Sequence, residues 1–424
     1  MADTFLDIIS PVQQKIPALR KDTVSVFILP KSKDGRYIFF NKEQLMFMYH
    51  LVRFNYFDRD IAEKIYYILT RKKSLSTRWF QKLIGNRSYP ISIYDKSQIK
   101  SSKKVSSKKI YYVNKKFTSW LFEQLNEHDD LLERLSITEY DESMHSIVAN
   151  NLFGGKPSTV NFHDYTIRSL VASYAYHIVE RLIDDTPEEI NVQFSFPTNK
   201  QITTLLPDST LFIYGKEYHF EYDNDTEQQF RLLSKVIRYI ENSPFHDTNI
   251  YFIFNVAQKK SDPTISKRIS TFLKNVESNS YNNKPFIEHL SNENIGIYGY
   301  PEFQSIHQVA QSILSDLGKY INSKPSLDQI NNFSGFPYYA DSIKSAEKED
   351  FFDYYVTCQN DDFETIIIPL IYIDYAKVGN EQWLQSIKEV YQDSYLYIGL
   401  IYSSKITTQF QMLSDDFFIS LYLS

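Results

Sequence analysis

The chain has 424 residues, 42% apolar and 23% charged, which is typical of two or three globular domains and excludes a fibrous protein. The single cysteine, Cys358, excludes an internal disulfide framework and a cysteine-based zinc site, and it fits a reducing cytoplasm. The longest apolar run, IIIPLIYI at 366–373, is too short to span a bilayer. The N-terminus, MADTFLDIISPVQQK, lacks the pattern of a signal peptide. We therefore expect a cytoplasmic protein without a membrane partner.

The net charge of −6 conceals an uneven distribution along the chain. Residues 71–116, the basic segment, hold 14 Lys and Arg against one acid, Asp95, and carry about +13. The other residues carry 32 basic and 51 acidic side chains, about −19. A basic block on an otherwise acidic protein indicates a polyanionic partner, most simply nucleic acid.

Residues 41–136 have the layout of a winged helix-turn-helix domain, whereas the role of the N-terminal segment 1–40 is not indicated. NKEQLMFMYHLV and FDRDIAEKIYYIL carry apolar residues at helical spacing, and TRWFQKLIG is a third, short helix that ends at Gly85. Two strand-like runs, YPISIY and KIYYVN, flank a connector rich in Lys and Ser. Three helices followed by a hairpin with a basic tip predict this domain.

The same layout predicts contact with double-stranded DNA, through the third helix in the major groove and through the hairpin on phosphates. The candidate contacts of the third helix are Ser76, Thr77, Arg78, Gln81 and Lys82. The candidate phosphate contacts of the hairpin are Lys100, Lys103, Lys104, Lys108 and Lys109. The alternative is a solvated basic loop on a helical domain. The helix pattern, the hairpin and the basic charge together favour contact with DNA.

A linker at 137–160, marked by Gly154-Gly155 and Pro157, separates this domain from the next. Residues 161–324 start with a long helix, NFHDYTIRSLVASYAYHIVERLI, and continue with alternating strands and helices. That alternation, which includes one hairpin, predicts a mixed sheet and a fold of the α+β or α/β class.

The stretch 203–239 holds the residues with the most specific chemistry. It predicts a strand, a tight turn, a second strand and a helix, so that Asp208 and Glu221 lie close together although 13 positions separate them. Two carboxylates at strand ends bind a hard divalent cation, here Mg²⁺ or Mn²⁺. Lys235 on the following helix is a candidate to polarise a water or a phosphate. Glu180 on the preceding helix is a candidate to reach the same pocket through a water.

These residues predict a metal-dependent phosphodiesterase. Its catalytic candidates are Asp208, Glu221, Lys235, Glu180 and Asp223, with Asp208 and Glu221 as metal ligands. Asp223, further along the strand, is expected to point to the opposite face from Glu221. A structural alternative stays open, in which Asp208 caps a turn, the acids at the strand end are solvated and Lys235 lies on the surface.

Pro207-Asp208, a strand and Glu221-Tyr222-Asp223 resemble the PD-(D/E)XK nuclease superfamily. The third motif of that superfamily is a carboxylate, any residue and a lysine, and Asp223 stands in the place of the lysine. Divergent members move the lysine to the next helix, so Lys235 is the implied substitute.

A closer resemblance covers residues 41–256 and concerns the replication-relaxation family of plasmids and conjugative elements. It rests on the winged helix followed by His163-Asp164, Pro207-Asp208, Glu221-Tyr222-Asp223, Thr226-Glu227, Lys235 and Tyr239. It implies a nuclease-like domain behind a DNA-binding domain, and for some members a relaxase that nicks DNA at an origin of transfer.

Two hypotheses follow. The first is a DNA-nicking or DNA-cleaving enzyme of plasmid replication or conjugation, with Mg²⁺ or Mn²⁺ as cofactor. The second is a non-catalytic DNA-binding initiator or transcriptional regulator on a degenerate nuclease scaffold. In either case the expected partners are origin or transfer-site DNA, a second copy of the chain, or other replication and transfer proteins.

The C-terminal α/β region, 325–424, repeats the order strand, helix, strand. At an offset of 153 residues, Glu221 matches Asp374 and Lys235 matches Lys388. A decayed internal duplication and a chance likeness between two strand-helix-strand units are equally supported.

Overall fold

Residue contacts in the computed structural model divide the chain into two units. The first comprises residues 1–198 and 212–215, and the second residues 199–211 and 216–424. The structure describes residues 22–29, 37–72, 74–94, 108–128, 130–131, 135, 155–157, 160–182, 185, 190–196, 207–224, 227–242, 248–255, 264–292, 295–302, 305–318, 339–346, 351–359, 363–372, 380–402 and 417–422.

The first unit contains five helices and five strands among its described residues. They are β1 (Ser25–Ile28), β2 (Tyr37–Phe40), α1 (Lys42–Phe54), α2 (Arg59–Thr70), α3 (Thr77–Leu83), β3 (Ile91–Ile93), β4 (Tyr111–Val113), α4 (Lys115–Asn126), α5 (Phe162–Arg181) and β5 (Val192–Ser195).

The first three helices begin where the sequence provides an N-cap. The side chain of Asn41 accepts from the backbone of Gln44, Asp58 accepts from Ile61, and Ser76 accepts from Trp79. Each bond satisfies a backbone N–H that the first helical turn leaves unpaired. Strands β3 and β4 then pair antiparallel, with Ile91 opposite Val113. The order of three helices and a hairpin is therefore present, and the hairpin tip with Lys100, Lys103 and Lys104 lies outside the described residues.

Helix α5 belongs to the first unit because its C-terminal end is held by the end of α2. Arg71, with a φ of 56°, donates from its guanidinium to the carbonyls of Val179 and Leu182. Those carbonyls lie in the last turn of α5, where they have no partner within the helix. The linker predicted at 137–160 consequently falls inside the first unit, and most of its residues lie outside the described ones.

The described helices and strands of the second unit form two larger sheets, one short two-stranded sheet and flanking helices. They are β6 (Ser209–Ile213, whose last two residues group with the first unit), β7 (Lys216–Asp223), α6 (Gln229–Asn242), β8 (Thr248–Phe254), α7 (Thr264–Ser278), β9 (Ser280–Tyr281), β10 (Lys284–Pro285), α8 (Phe286–Asn292), β11 (Ile295–Pro301), α9 (Ser305–Asp316), β12 (Tyr339–Ser345), β13 (Tyr354–Gln359), β14 (Thr365–Tyr372), α10 (Asn380–Tyr391), β15 (Ile398–Tyr402) and β16 (Phe418–Tyr422).

In the first of these sheets, strands β11, β8, β7 and β6 are neighbours in that order. Strand β7 is parallel to β8, and β8 is parallel to β11. Strand β7 is buried from Tyr218 to Asp223, as expected for a strand covered on both faces. The predicted mixed α/β class is confirmed.

The second sheet runs in the order β12, β13, β14, β15, β16. The first two pairs are antiparallel and the last two are parallel. A hairpin, a helix and two further parallel strands therefore occur in both sheets. Asp374, the predicted counterpart of Glu221, lies outside the described residues. The two sheets can therefore be compared in topology and not in their site residues.

In the described part of the chain, no helix is long and apolar enough to cross a membrane.

The buried histidine of α1 predicts acid sensitivity of the first unit. His50 packs against the rings of Tyr49 and Phe194, and burial together with the charge of Arg53 lowers its pKa from 6.5 to about 3. The unfolded chain takes up a proton near pH 6.5 and the folded unit does not, so stability is lost as pH falls from 6.5 toward 3. At pH 5 the expected loss from this group is about 2 kcal/mol.

Urea unfolding at pH 7 and pH 5 measures this loss. His50→Phe should show a difference between the two pH values that is smaller than the native difference by about 2 kcal/mol. An unchanged difference in His50→Phe would contradict the assignment.

Candidate functional site

The hairpin of β6 and β7 sets the positions of the two predicted metal ligands. Its turn has positive φ at both central residues, 50° at Tyr214 and 77° at Gly215, as a type I′ turn requires. Thr210 and His219 face each other, with Oγ1 and Nδ1 3.2 Å apart. The same register places Asp208 across from Glu221, and Asp208 Oδ2 accepts the backbone N–H of Tyr222 at 2.7 Å.

Helix α6 brings Lys235 to the same place. Its Nζ lies 2.9 Å from Glu221 Oε2 and 3.8 Å from Asp208 Oδ2. Lys235 is on the inner face of the helix, beside the buried Val236, and its side chain is only 13% exposed. The structure thus brings Asp208, Glu221 and Lys235 together, and Lys235 is not a surface lysine.

Tyr239 holds the second oxygen of Glu221; it belongs to the pattern that carries the family resemblance but was not among the predicted site residues. Its hydroxyl donates to Glu221 Oε1 at 2.9 Å, and its side chain is buried. Residues four apart lie on the same face of a helix, so Lys235 and Tyr239 both reach the strand below. The carboxylate of Glu221 is therefore fixed at both oxygens.

Burial dominates the electrostatics of this group. It raises the pKa of Glu221 to about 7, with the charge of Asp208 acting in the same direction and Lys235 in the opposite one. Burial alone would lower the pKa of Lys235. The carboxylates of Glu221, Asp208 and Glu227 more than offset it and hold the pKa of Lys235 above its ordinary value. The ammonium is thus charged at any physiological pH.

Glu227 is a third carboxylate at this site that was not among the predicted site residues. Its Oε1 lies 3.3 Å from Lys235 Nζ. Its Oε2 is buried and has no hydrogen-bond partner in the structure. The sequence signal for it was the family resemblance, which includes Thr226-Glu227. An acid just ahead of a helix is otherwise explained by the helix dipole.

Asp223 takes no direct part in the contacts around Lys235. Its Oδ2 accepts from Arg268, at 2.6 Å from Nε and 2.5 Å from Nη2. The expectation that Asp223 points to the opposite face from Glu221 is wrong. Strand β7 continues through Asp223, and residues two apart in a strand share a face. Tyr222, between them, points the other way and donates to Glu302 at 2.8 Å.

Glu180 lies on α5 in the first unit. Its carboxylate accepts from Tyr176 at 3.4 Å and lies 3.3 Å from His177 Nδ1. These contacts belong to the surface of α5, and a part for Glu180 in catalysis stays a prediction.

A divalent cation is compatible with the donor atoms but is not indicated by their present arrangement. Within the described ranges, no group of three or more His, Cys, Asp or Glu side chains is placed to hold a metal ion. The cation among the carboxylates is the ammonium of Lys235. The donors of Asp208, Glu221 and Glu227 are nevertheless all oxygens, which Mg²⁺ and Mn²⁺ prefer, and one of them is a buried oxygen without a partner.

The predicted DNA-contacting face of α3 is exposed. Phe80 and Leu83 are buried, whereas the candidate contacts of this helix are all exposed: Ser76, Thr77, Arg78, Gln81 and Lys82. From Ser74 to Tyr94 the chain has no acidic residue. A solvent-facing helix of this charge suits a polyanion.

Of the predicted hairpin lysines, Lys108 and Lys109 are described. Lys109 is exposed. Lys108 forms an ion pair with the buried Asp58, Nζ to Oδ2 2.9 Å, and the same oxygen accepts from Tyr165 at 2.7 Å. Lys108 therefore has a structural partner at the base of the hairpin.

Comparisons of the chain with protein families, curated proteins and solved structures found no match.

Removing the central cation should destabilise the second unit. We expect Lys235→Met to cost about 3 to 5 kcal/mol at pH 8, because it leaves buried carboxylates without their counter-charge. Adding Glu221→Gln should recover part of this loss, since it removes one of those charges. Urea unfolding of the native chain, both single variants and the double variant measures the coupling.

Lys216→Met is the matched control. Lys216 pairs with Asp316 at 3.1 Å, but both side chains are substantially exposed, 47% and 33%. We expect a change of about 0 to 1 kcal/mol. Equal losses for the two lysine substitutions would contradict the central place given to Lys235.

Proposed function

We propose that the protein binds double-stranded DNA of a plasmid or other mobile element and nicks or cleaves it with Mg²⁺ or Mn²⁺. The observation that carries the proposal is the convergence of Asp208, Glu221 and Glu227 on Lys235, within 3.8 Å of its ammonium. Carboxylates around a lysine are the groups that metal-dependent phosphodiester hydrolysis requires. The resemblance to the replication-relaxation family supports the proposal. In the same proposal, the C-terminal region, 325–424, would be a decayed copy of the nuclease-like fold.

In this proposal, Asp208 and Glu221 hold the metal. The bound ion would supply charge neutralisation at the phosphate and a more acidic attacking water. Lys235 would bind a phosphate oxygen or polarise the water, because its ammonium lies beside both carboxylates. Tyr239 would orient Glu221 through its 2.9 Å hydrogen bond. Asp223 is a further catalytic candidate and would act through Arg268.

DNA recognition is assigned to the first unit. The exposed face of α3 would enter the major groove, with Arg78 and Lys82 as its charged contacts. Lys109 and the hairpin lysines Lys100, Lys103 and Lys104 would bind phosphates. A cytoplasmic location, a homodimer and association with other replication or transfer proteins belong to the same proposal.

A second candidate function is DNA binding without catalysis, as an initiator or transcriptional regulator. It is favoured by the ion pair between Lys235 and Glu221. The ammonium Nζ lies 2.9 Å from Glu221 Oε2, where it neutralises the carboxylate without a metal. Asp223 adds to this, because it stands at the position of the superfamily lysine and pairs with Arg268. In that case the carboxylates and Lys235 would be a structural ion-pair network.

A nicking assay separates the two functions. DNA that the protein retains from a random-sequence library is cloned into a supercoiled plasmid and incubated with the protein and Mn²⁺ or Mg²⁺. We expect relaxation by the native chain and a loss of at least about 100-fold in Asp208→Asn and Glu221→Gln, because each removes a charged metal ligand.

Asp316→Asn is the matched control for the assay. Asp316 accepts from Tyr218 at 2.7 Å, away from Lys235, and its variant should relax the plasmid at the native rate. If the native chain does not relax the plasmid, or if Asp208→Asn relaxes it at the native rate, the nicking function is excluded. DNA binding without catalysis is then the remaining function.

DNA binding is tested by removing lysines in pairs. Lys103→Ala with Lys104→Ala should weaken binding and lower the slope of log affinity against log salt by about 2, since each lost phosphate contact contributes about 0.9. Fluorescence anisotropy over a salt series measures both quantities.

The control pair is Lys42→Ala with Lys64→Ala, two lysines of the same unit that lie outside the basic segment and pair with Asp130 and Asp60. It removes the same charge and should change the slope much less. Equal slopes for the native chain and the Lys103/Lys104 variant would remove the hairpin from the interface.

A further inference from the structure

Two consecutive residues at the start of α2 contact both elements that the proposed function assigns to DNA. Asp58 is the N-cap of α2, and Arg59 is its first residue. The backbone just ahead of them joins the hairpin of β3 and β4, because Phe57 and Tyr111 exchange two hydrogen bonds, at 3.0 and 2.7 Å. Asp58 and Arg59 therefore lie where α2, α3 and the hairpin meet.

Asp58 fixes the chain just ahead of β4. Its side chain is 5% exposed, and both of its oxygens have donors. Oδ1 accepts the backbone N–H of Ile61 at 2.9 Å. Oδ2 accepts from Lys108 Nζ at 2.9 Å and from the hydroxyl of Tyr165, on α5, at 2.7 Å. Charge-assisted hydrogen bonds to a buried carboxylate are strong, so they hold Lys108 and the hairpin against α2 and α5.

Arg59 fixes the start of α3. Its Nη2 donates to the carbonyl of Leu75 at 2.8 Å, directly ahead of the N-cap Ser76. Its guanidinium lies over the ring of the buried Phe80, with Cζ 4.7 Å from the centroid. Its Nε donates to Glu63 at 2.7 Å. One planar group thus holds both the first turn and the inner face of α3.

The two DNA-binding elements also contact each other through Tyr111 on β4. Its ring stacks on Phe57, with centroids 6.0 Å apart, and meets the edge of Phe80 of α3 at 5.6 Å. The spacing between the hairpin and the exposed face of α3 is therefore set inside the protein. A duplex presents its groove and its phosphates at fixed spacing, so elements that are already positioned bind it at a lower entropic cost.

Lys108 differs in this respect from its neighbour Lys109. Its ammonium is paired with a buried carboxylate, whereas Lys109 is exposed. A phosphate that took the ammonium of Lys108 would leave the buried Asp58 without its counter-charge. The contacts of Lys108 thus favour a role inside the protein.

We propose that Asp58 and Arg59 are positioning residues for DNA binding, with Asp58 acting on the hairpin through Lys108 and Arg59 acting on α3 through Leu75 and Phe80. Lys108 then supports the hairpin and does not bind a phosphate itself. This inference rests on the proposed function, of which it uses only DNA binding.

The sign of one substitution separates positioning from plain electrostatics. Asp58→Asn keeps the N-cap, because Asn caps helices as well as Asp does. It also removes a negative charge beside a basic surface, which by charge alone would strengthen DNA binding. We expect binding about 3- to 10-fold weaker instead, because a neutral side chain holds the ammonium of Lys108 less firmly.

Fluorescence anisotropy of the full chain with a labelled DNA duplex measures this effect. The duplex carries a sequence that the protein retains from a random-sequence library. Asp60→Asn is the matched control, since Asp60 is an exposed acid in the same helical turn that pairs with Lys64 at 2.6 Å. It removes the same charge and should bind the duplex as tightly as the native chain or more tightly.

A salt series separates the roles of Lys108 and Lys109. Lys109→Met should lower the slope of log affinity against log salt by about 0.9, as the loss of one phosphate contact does. Lys108→Met should weaken binding and keep the native slope. Arg59→Lys keeps the charge but loses the planar contacts of the guanidinium, so it should also weaken binding at the native slope.

The outcomes distinguish this inference from the proposed function. If the native chain does not bind the duplex, or if Arg78→Ala with Lys82→Ala binds it at native affinity, the proposed DNA interface is overturned, and this inference with it. If the native chain binds and Asp58→Asn binds as tightly or more tightly, only the positioning role of Asp58 is overturned. A slope lowered by about 0.9 in Lys108→Met would make Lys108 a phosphate contact, and native affinity in Arg59→Lys would overturn the role of Arg59.

A further variant covers the case in which thermal unfolding shows that Asp58→Asn does not fold. Asp58→Ser keeps an N-cap oxygen, but its short side chain does not reach Lys108. Weaker binding at the native slope supports the inference, and native or tighter binding overturns it.

Discussion

The arrangement of the second unit around its candidate site depends on one buried ammonium group. Lys235 lies among Asp208, Glu221 and Glu227, and these four groups come from the start of a hairpin, a strand end, a connection and a helix. Buried carboxylates repel one another, and the ammonium of Lys235 opposes that repulsion where the strand and helix pack. The raised pKa of Glu221 shows that even this cation does not fully compensate burial.

Strand β7 divides two environments by the alternation of its side chains. His219, Glu221 and Asp223 face α6 and α7, and their partners are polar or charged. On the other face, Phe220 stacks on Tyr251 at 5.4 Å, and the rings of β8 and β11 continue that layer. This face is aromatic, and its tyrosine hydroxyls reach polar partners at and beside α9, such as Ser312 and Asp316.

Local sequence patterns were sufficient to predict most of the helices and strands. Apolar residues at helical spacing are a property of short stretches, and they indicated the first three helices. The caps at Asn41, Asp58 and Ser76 lie in those same stretches. Helix α5 was assigned to the nuclease-like domain, whereas it groups with the first unit. Its sequence shows that it is a helix, but its packing on α2 depends on contacts such as Arg71 with Val179, which join residues more than a hundred positions apart.

The mixed α/β class, the concentration of basic charge at 71–116 and the proximity of Asp208 to Glu221 across a tight turn could all be predicted from local patterns. The contacts of Lys235, Tyr239 and Glu227 with this acidic pair or with one another, and the pairing of Asp223 with Arg268, are known from the folded chain alone. Turn geometry and helical spacing are local and can be read along the chain. The choice between a surface lysine and a buried one depends on how a helix rotates against a sheet, which is set by packing of residues distant in sequence.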